Sequence, residues 1–229
     1  MRTVRVEPPE LGSVDGLAYA RFSPKIAPRP GGVVVLHGAG SCKESHFDFG
    51  RLCRAAGIEA IAFDQRGHGD SDGELGASAV EDIGRVAALL APGPLALRGS
   101  SMGGFMALVA GAQLDAAAVV AICPAGAQQL RRGLRAEEFD FRADPAGLDA
   151  LLATEDERAA AAALGARLLL LHAEGDERVP VAGSRELHAL AAGSRLVTVP
   201  GGHHRSVQHD GELQGLALRF IERALPRAA

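Results

Sequence analysis

Pro94-Leu95-Ala96-Leu97-Arg98-Gly99-Ser100-Ser101-Met102-Gly103-Gly104-Phe105-Met106-Ala107-Leu108-Val109 reads as an apolar strand, a sharp turn and a helix, with Ser101 at the apex. Glycines stand two residues either side of that serine, where a turn this tight leaves no room for side chains. A serine hydroxyl is a weak nucleophile unless it is exposed, strained and beside a base. The helix that follows aims backbone N–H groups and a positive dipole end at the same spot. Ser101 is therefore the candidate nucleophile; the glycine frame excludes Ser100.

Outward from this turn, apolar runs and turn signals alternate. Strands are expected at Thr3–Glu7, Leu17–Phe22, Val33–Leu36, Glu59–Phe63, Leu95–Arg98, Ala118–Ile122, Leu168–His172 and Leu196–Val199. Helical patterns lie at His46–Ala56, Ala77–Ala91, Met102–Leu114, Gly183–Ala192 and Gly211–Ala224. The first two strands are joined through Pro8-Pro9 and Gly12 to Gly16 without a helix, so they should form an antiparallel edge. From Val33 onward the β-α-β order demands a parallel sheet with helices on both faces. Val33-Val34-Val35-Leu36 and Leu168-Leu169-Leu170-Leu171 are apolar on both faces, as covered parallel strands must be. The expectation is one α/β domain spanning 1–229, with about eight strands. Residues 126–165 form a short, lid-like helical insertion with helical patches at Gln128–Arg135, Ala146–Ala153 and Glu155–Leu164.

The 229 residues are 47% hydrophobic and 23% charged, which is ordinary globular composition. With 24 basic and 28 acidic side chains the net charge is −4. No dense basic run points to nucleic acid or an anionic membrane as a partner, since Arg131-Arg132 and Arg135 run straight into Glu137-Glu138. Met1–Glu7 lacks an apolar core of signal-peptide length, and no segment is long enough to span a bilayer. Three cysteines without metal-ligand spacing fit a reduced, cytoplasmic compartment. No cofactor or metal is expected, and oligomeric state stays open.

A base must take the Ser101 proton, and a carboxylate must orient that base. In open α/β sheets such groups gather in loops past the C-terminal strand ends. Asp176 follows the strand at Leu168–His172, flanked by Gly175 and Val179-Pro180. His203 and His204 follow Leu196–Val199, and being adjacent, only one can face Ser101. The chain order Ser101, Asp176, His204 suits a triad converging on one end of the sheet. A developing oxyanion needs donors already in place. The Met102 N–H is one candidate, and the Ala39 N–H, in the glycine-rich turn His37-Gly38-Ala39-Gly40-Ser41, is the other.

These segments, together with Asp64-Gln65-Arg66-Gly67-His68-Gly69-Asp70-Ser71 and Gly202-His203-His204-Arg205, resemble the α/β-hydrolase superfamily, in particular its small esterase and dienelactone-hydrolase-like members. The resemblance runs from about Val33 to the C-terminus. It implies Ser101 as nucleophile, Asp176 as acid, His204 as base, and Ala39 and Met102 as the oxyanion hole. It selects His204 over His203 because the family's histidine directly precedes arginine. It also implies a serine hydrolase acting on small, short-acyl esters, with thioesters or amides as the alternative and a non-catalytic ligand-binding role further off. Dienelactone hydrolases proper carry a cysteine nucleophile, so Ser101 favours ester over lactone chemistry. An aspartate there would have suited epoxides or haloalkanes. The short insertion leaves no large cap.

Other polar residues have structural readings. His37 should hold the oxyanion turn by a backbone hydrogen bond, and His68 should stabilise its own loop. Asp64, the rival acid, should brace the Arg66 loop. Cys42 should be a small filler near the mouth of the site. His203, His204, His209 and Asp210 make a poor metal set. Arg98, where a central strand expects an apolar side chain, needs an acidic or carbonyl partner. Of the apolar residues in the insertion, Leu130, Leu134, Phe139, Phe141, Leu148 and Leu151 divide between the acyl site and packing.

Overall fold

A computed structural model describes residues 7–225. In chain order they form β1 (Glu10–Val14), β2 (Leu17–Phe22), β3 (Gly32–Leu36), a 3-10 turn at Lys43–His46, α1 (Phe47–Ala55), β4 (Glu59–Phe63), α2 (Ala79–Ala87), β5 (Leu95–Ser100), α3 (Met102–Gln113) and β6 (Ala118–Ile122). Then follow α4 (Ala127–Arg135), α5 (Pro145–Thr154), α6 (Glu157–Leu164), β7 (Leu168–Ala173), α7 (Val181–Leu190), β8 (Arg195–Val199), α8 (Ser206–His209) and α9 (Gly211–Ala224). The strands make a single sheet in the order β1-β2-β4-β3-β5-β6-β7-β8. β3 to β8 pair in parallel, and β2 pairs antiparallel with both β1 and β4.

The antiparallel edge is present, but one of its strands lies elsewhere than the sequence pattern suggests. The expected strand at Thr3–Glu7 falls outside the described residues except for Glu7. Glu10–Val14, read from sequence as connector, is the strand that pairs with β2. Its side chains are half or fully exposed, so it carries little of the apolar alternation by which strands are recognised.

Strand periodicity sorts the core into two layers. Val34, Leu36, Ile61, Phe63, Val119, Ala121, Leu168 and Leu170 pack against α2, α3 and α7. Val33, Val35, Ala60, Ala62, Val120, Leu169 and Leu171 pack against α1 and α9. α3 is apolar all round and buried from Met102 to Gly111, as a helix between the sheet and further helices must be.

Between β6 and β7 the chain forms α4, α5 and α6. Asp144 caps α5, accepting from Gly147 N at 3.1 Å with Pro145 at the first position, and Asp156 caps α6. The segment before α5 is stitched to the loop after β4 by Arg142 N to Gly67 O at 3.2 Å, Leu75 N to Arg142 O at 3.0 Å and Asp144 N to Leu75 O at 2.9 Å.

Strand order reverses at β3, whose neighbours β4 and β5 lie on opposite sides. Loops leaving β3 and β5 therefore open a crevice at their C-terminal ends. Leu36 pairs with Gly99, which sets the His37–Ser41 turn beside Ser101.

Candidate active site

Ser101 occupies the β5–α3 turn with φ 55° and ψ −119°, a region sparsely populated by non-glycine residues and costing about 1–3 kcal/mol. The surroundings over-determine it. Its N–H donates to Ile122 O at 2.9 Å, and its carbonyl accepts from Gly104 N at 2.9 Å and Phe105 N at 3.1 Å. A Cβ on Gly99 would lie 1.9 Å from Gly103 O, and one on Gly103 would lie 2.5 Å from His37 O. Steric exclusion, not turn conformation, is thus what demands these two glycines. Gly38 is as close from the other side: a Cβ there would meet the Ser101 Cβ at 3.1 Å. Ser101 is half-buried on the wall of a cavity of about 610 Å³, which Gly38, Ala39 and His204 also line.

Asp176 is held in the β7–α7 loop. Its Oδ1 accepts from Arg178 N at 2.9 Å and Val179 N at 2.8 Å, while Oδ2 accepts from His204 Nδ1 at 2.7 Å. Burial pushes the carboxyl up. The hydrogen bonds from Val179, His204 and Arg178 outweigh that and hold it below the ordinary aspartate value. The Asp176 side chain has no exposed surface and that of His204 is 11% exposed. With Nδ1–H directed at Asp176, Nε2 of His204 carries the lone pair.

Sequence reasoning missed His172, which braces this acid. Its Nε2–H donates to Val179 O at 2.9 Å and lies 3.4 Å from Asp176 Oδ2, and its Nδ1 accepts from Ser184 Oγ at 2.7 Å. Burial lowers its pKa, keeping the ring neutral. The signal available was a histidine ending an otherwise aliphatic strand.

Met102 begins α3, so its N–H lies outside the intrahelical ladder. Ala39 lies in the turn closed by Ser41 N to Gly38 O at 3.2 Å. His37 fixes that turn: its Nδ1–H donates to Gly38 O at 2.8 Å, and its Nε2 accepts from Gln65 N at 3.0 Å. His68 donates from Nδ1 to Arg66 O at 3.0 Å. Its ring stacks on Phe141, with centroids 4.2 Å apart, and meets the His37 ring at a tilt of 58°, with centroids 4.8 Å apart.

Asp64 is fully buried away from the cavity. It accepts from Lys43 N at 2.7 Å, Lys43 Nζ at 2.7 Å and Asp70 N at 2.9 Å. It braces its own loop as expected, but the Arg66 guanidinium pairs instead with Asp82 at 2.8 Å. His203 is exposed and does not line the cavity, and neither does Cys42. From the insertion, Leu130 and Phe139 reach the cavity. Leu148 and Leu151 are buried in the core.

Arg98 is 1% exposed. Its guanidinium donates to Gln208 O at 3.0 Å and to His46 Nδ1 at 3.1 Å, and lies 4.1 Å from the Phe49 ring centroid. Burial pulls its pKa down to about 10. The expected partner is thus a carbonyl, 110 residues away in sequence, on the short helix that follows His204.

Cys123 lies beside this pair: single ligand atoms of Cys123, Asp176 and His204 all fall within 4.8 Å of one another. As a metal set the three would need the thiol to lose its proton, yet burial pushes Cys123 up to about 12. Asp176 Oδ2 is also already engaged by His204.

Two family models match the chain: one described as serine aminopeptidase S33, over residues 27–139, and one as TAP-like protein, over 151–217. Among curated proteins none matches the sequence. Solved structures of similar fold include Est1E from Butyrivibrio proteoclasticus, with a TM-score of 0.73, 18% identity and coverage of 95% of this chain and 99% of that one. The enol-lactonase from Burkholderia xenovorans LB400 has a TM-score of 0.72 at 15% identity, covering 93% and 99%. The monoacylglycerol lipase of Paleococcus ferrophilus has a TM-score of 0.64 at 22% identity, covering 90% and 96%. The chain belongs to the α/β-hydrolase superfamily. Among the described residues, no helix is long and apolar enough to cross a membrane.

Proposed function

We propose that the protein is a serine hydrolase cleaving carboxylic esters of small, short-acyl substrates, with Ser101, His204 and Asp176 as its triad. The observation that carries the reading is the 2.7 Å His204–Asp176 hydrogen bond on the cavity that the strained Ser101 turn also lines. Ser101 Oγ attacks the ester carbonyl while His204 Nε2 takes its proton. Asp176 fixes the imidazole tautomer and stabilises the imidazolium. The Ala39 and Met102 N–H groups bind the tetrahedral oxyanion. His204 then protonates the leaving alcohol, and water attacks the acyl-Ser101 by the same route, releasing the acid.

Residues 126–165 act in this reading as a short lid over a single domain, contributing Leu130 and Phe139 to the acyl wall. Three free cysteines suit a cytoplasmic protein. The esterase, lactonase and lipase neighbours support ester chemistry. The match to a serine aminopeptidase model favours an amide substrate as the second reading.

The test is release of nitrophenol from p-nitrophenyl acetate and butyrate, run beside matched anilides. Ser101→Ala should lower kcat by roughly 10⁴–10⁶-fold. A fluorophosphonate should label wild type at Ser101, forming an Oγ–P bond and expelling fluoride. Undiminished turnover in the variant would end the proposal.

A further inference from the structure

A second cavity, of about 730 Å³, opens between α4, the α5–α6 junction and the start of α7. It shares three wall residues with the active-site cavity: Ala125, Gln129 and Val179. Ala125 and Val179 are buried parts of the core, whereas Gln129 is a half-buried polar side chain. Its Nε2 donates to Arg178 O at 2.6 Å, so it spans from α4 to the loop that carries Asp176.

The chemistry of the second cavity indicates an uncharged occupant. Ala127, Leu152 and Leu187 line it and are buried. The acidic groups at its rim are already engaged: Glu186 with Arg158, Glu157 with Ala127 N at 3.2 Å, and Glu155 with Gln113 Nε2 at 2.9 Å. Asp156 is taken up by the cap of α6. Of the rim's basic groups, Arg131 is held by Asp149 and Arg158 by Glu186, and the exposed Arg132 is left at the solvent edge. An apolar floor under a rim whose acidic groups are engaged suits a methylene chain better than a cationic ligand.

We propose that Gln129 is the residue that limits acyl length, and that the second cavity is a latent subsite for the distal part of a longer, unbranched acyl chain. This rests on the reading of Ser101 as the acylated nucleophile. Gln129 closes the passage by one hydrogen bond, so truncating it joins the two cavities without disturbing the core. Gly183 provides the counter-test. It lines the second cavity, and a Cβ placed on it meets nothing within 4 Å, so a larger side chain there fills the space without a clash at the backbone.

The experiment compares wild type, Gln129→Ala and Gln129→Ala with Gly183→Leu on p-nitrophenyl butyrate and octanoate. Gln129→Ala should raise the octanoate-to-butyrate ratio of kcat/KM by roughly tenfold, and Gly183→Leu should reverse that gain. An unchanged ratio in Gln129→Ala, or a gain that survives Gly183→Leu, overturns the proposal. Calorimetric binding of octanoate to the same three proteins reads the cavity apart from turnover. Tighter binding in Gln129→Ala that Gly183→Leu removes supports the subsite, and equal affinities refute it. Ester turnover indifferent to Ser101→Ala would overturn the functional reading alone.

Discussion

Lowering the pH should destabilise the protein well before its carboxylates protonate, because four imidazoles are buried in their neutral form. His37, His46, His68 and His172 are each at most 4% exposed. Burial is the leading cause that lowers the pKa of every one, and brings His37 to about 4. In the unfolded chain an imidazole protonates near 6.5. Between those two values the unfolded state binds more protons than the folded one, so stability falls as pH falls. For His37 alone, going from about pH 7.5 to about pH 5 removes about 2 kcal/mol. The other three act with the same sign, against a total of about 5–15 kcal/mol for a typical protein. Urea unfolding followed by circular dichroism across that range should show the midpoint falling while the slope holds. A midpoint flat down to about pH 5, or a His37 ring that titrates by NMR like a free imidazole, would refute the reasoning.

Gly99→Ala should cost more than about 3 kcal/mol and abolish activity, since its Cβ would sit 1.9 Å from Gly103 O; a wild-type Tm would count against the steric argument. Asp176→Asn should lower kcat about 10⁴-fold with little change in KM, by presenting the wrong histidine tautomer; steady-state kinetics decides, and a loss confined to KM would speak against the orienting role. Lys43→Met should destabilise by about 3–5 kcal/mol, because it strands the fully buried Asp64 that now takes Lys43 Nζ at 2.7 Å. Adding Asp64→Asn should recover part of that loss in urea titrations, and no recovery would place the cost elsewhere.

The parallel strands were legible because a strand covered on both faces is apolar at nearly every position. β6 begins and ends where that pattern does, while β4 opens on the buried Glu59, whose carboxylate is taken by Arg21. Ser101 was legible because the glycine frame around it is written in five consecutive residues. Only Gly99 is required by a contact inside the turn, with Gly103 O, while Gly103 is required by the close approach of Leu36 O and His37 O from the end of β3. Asp176 and the histidine pair could be placed from strand ends. β1 was not legible, since an exposed edge strand containing Gly12 and Ser13 has no buried face to write into the sequence. The four-residue α8 is too short for periodicity to register. The partners of Arg98, Lys43 and His172 are set by tertiary proximity, which residue type alone does not encode. Arg98 announced that it needed a partner, but only the docking of residues 206–209 says which.

β8 lies at the edge of the sheet and pairs with β7 alone. None of its residues is fully buried, and the candidate base sits only a few residues past its end. Edges of this kind open locally at a lower free energy than the centre of a sheet. The serine and the acid depart from β5 and β7, which have strands on both sides. Catalytic competence and global folding are therefore separate equilibria in this molecule. As temperature or denaturant rises, the fraction able to turn over is governed by fraying of the last strand, so inactivation should run ahead of melting and reverse without refolding the core.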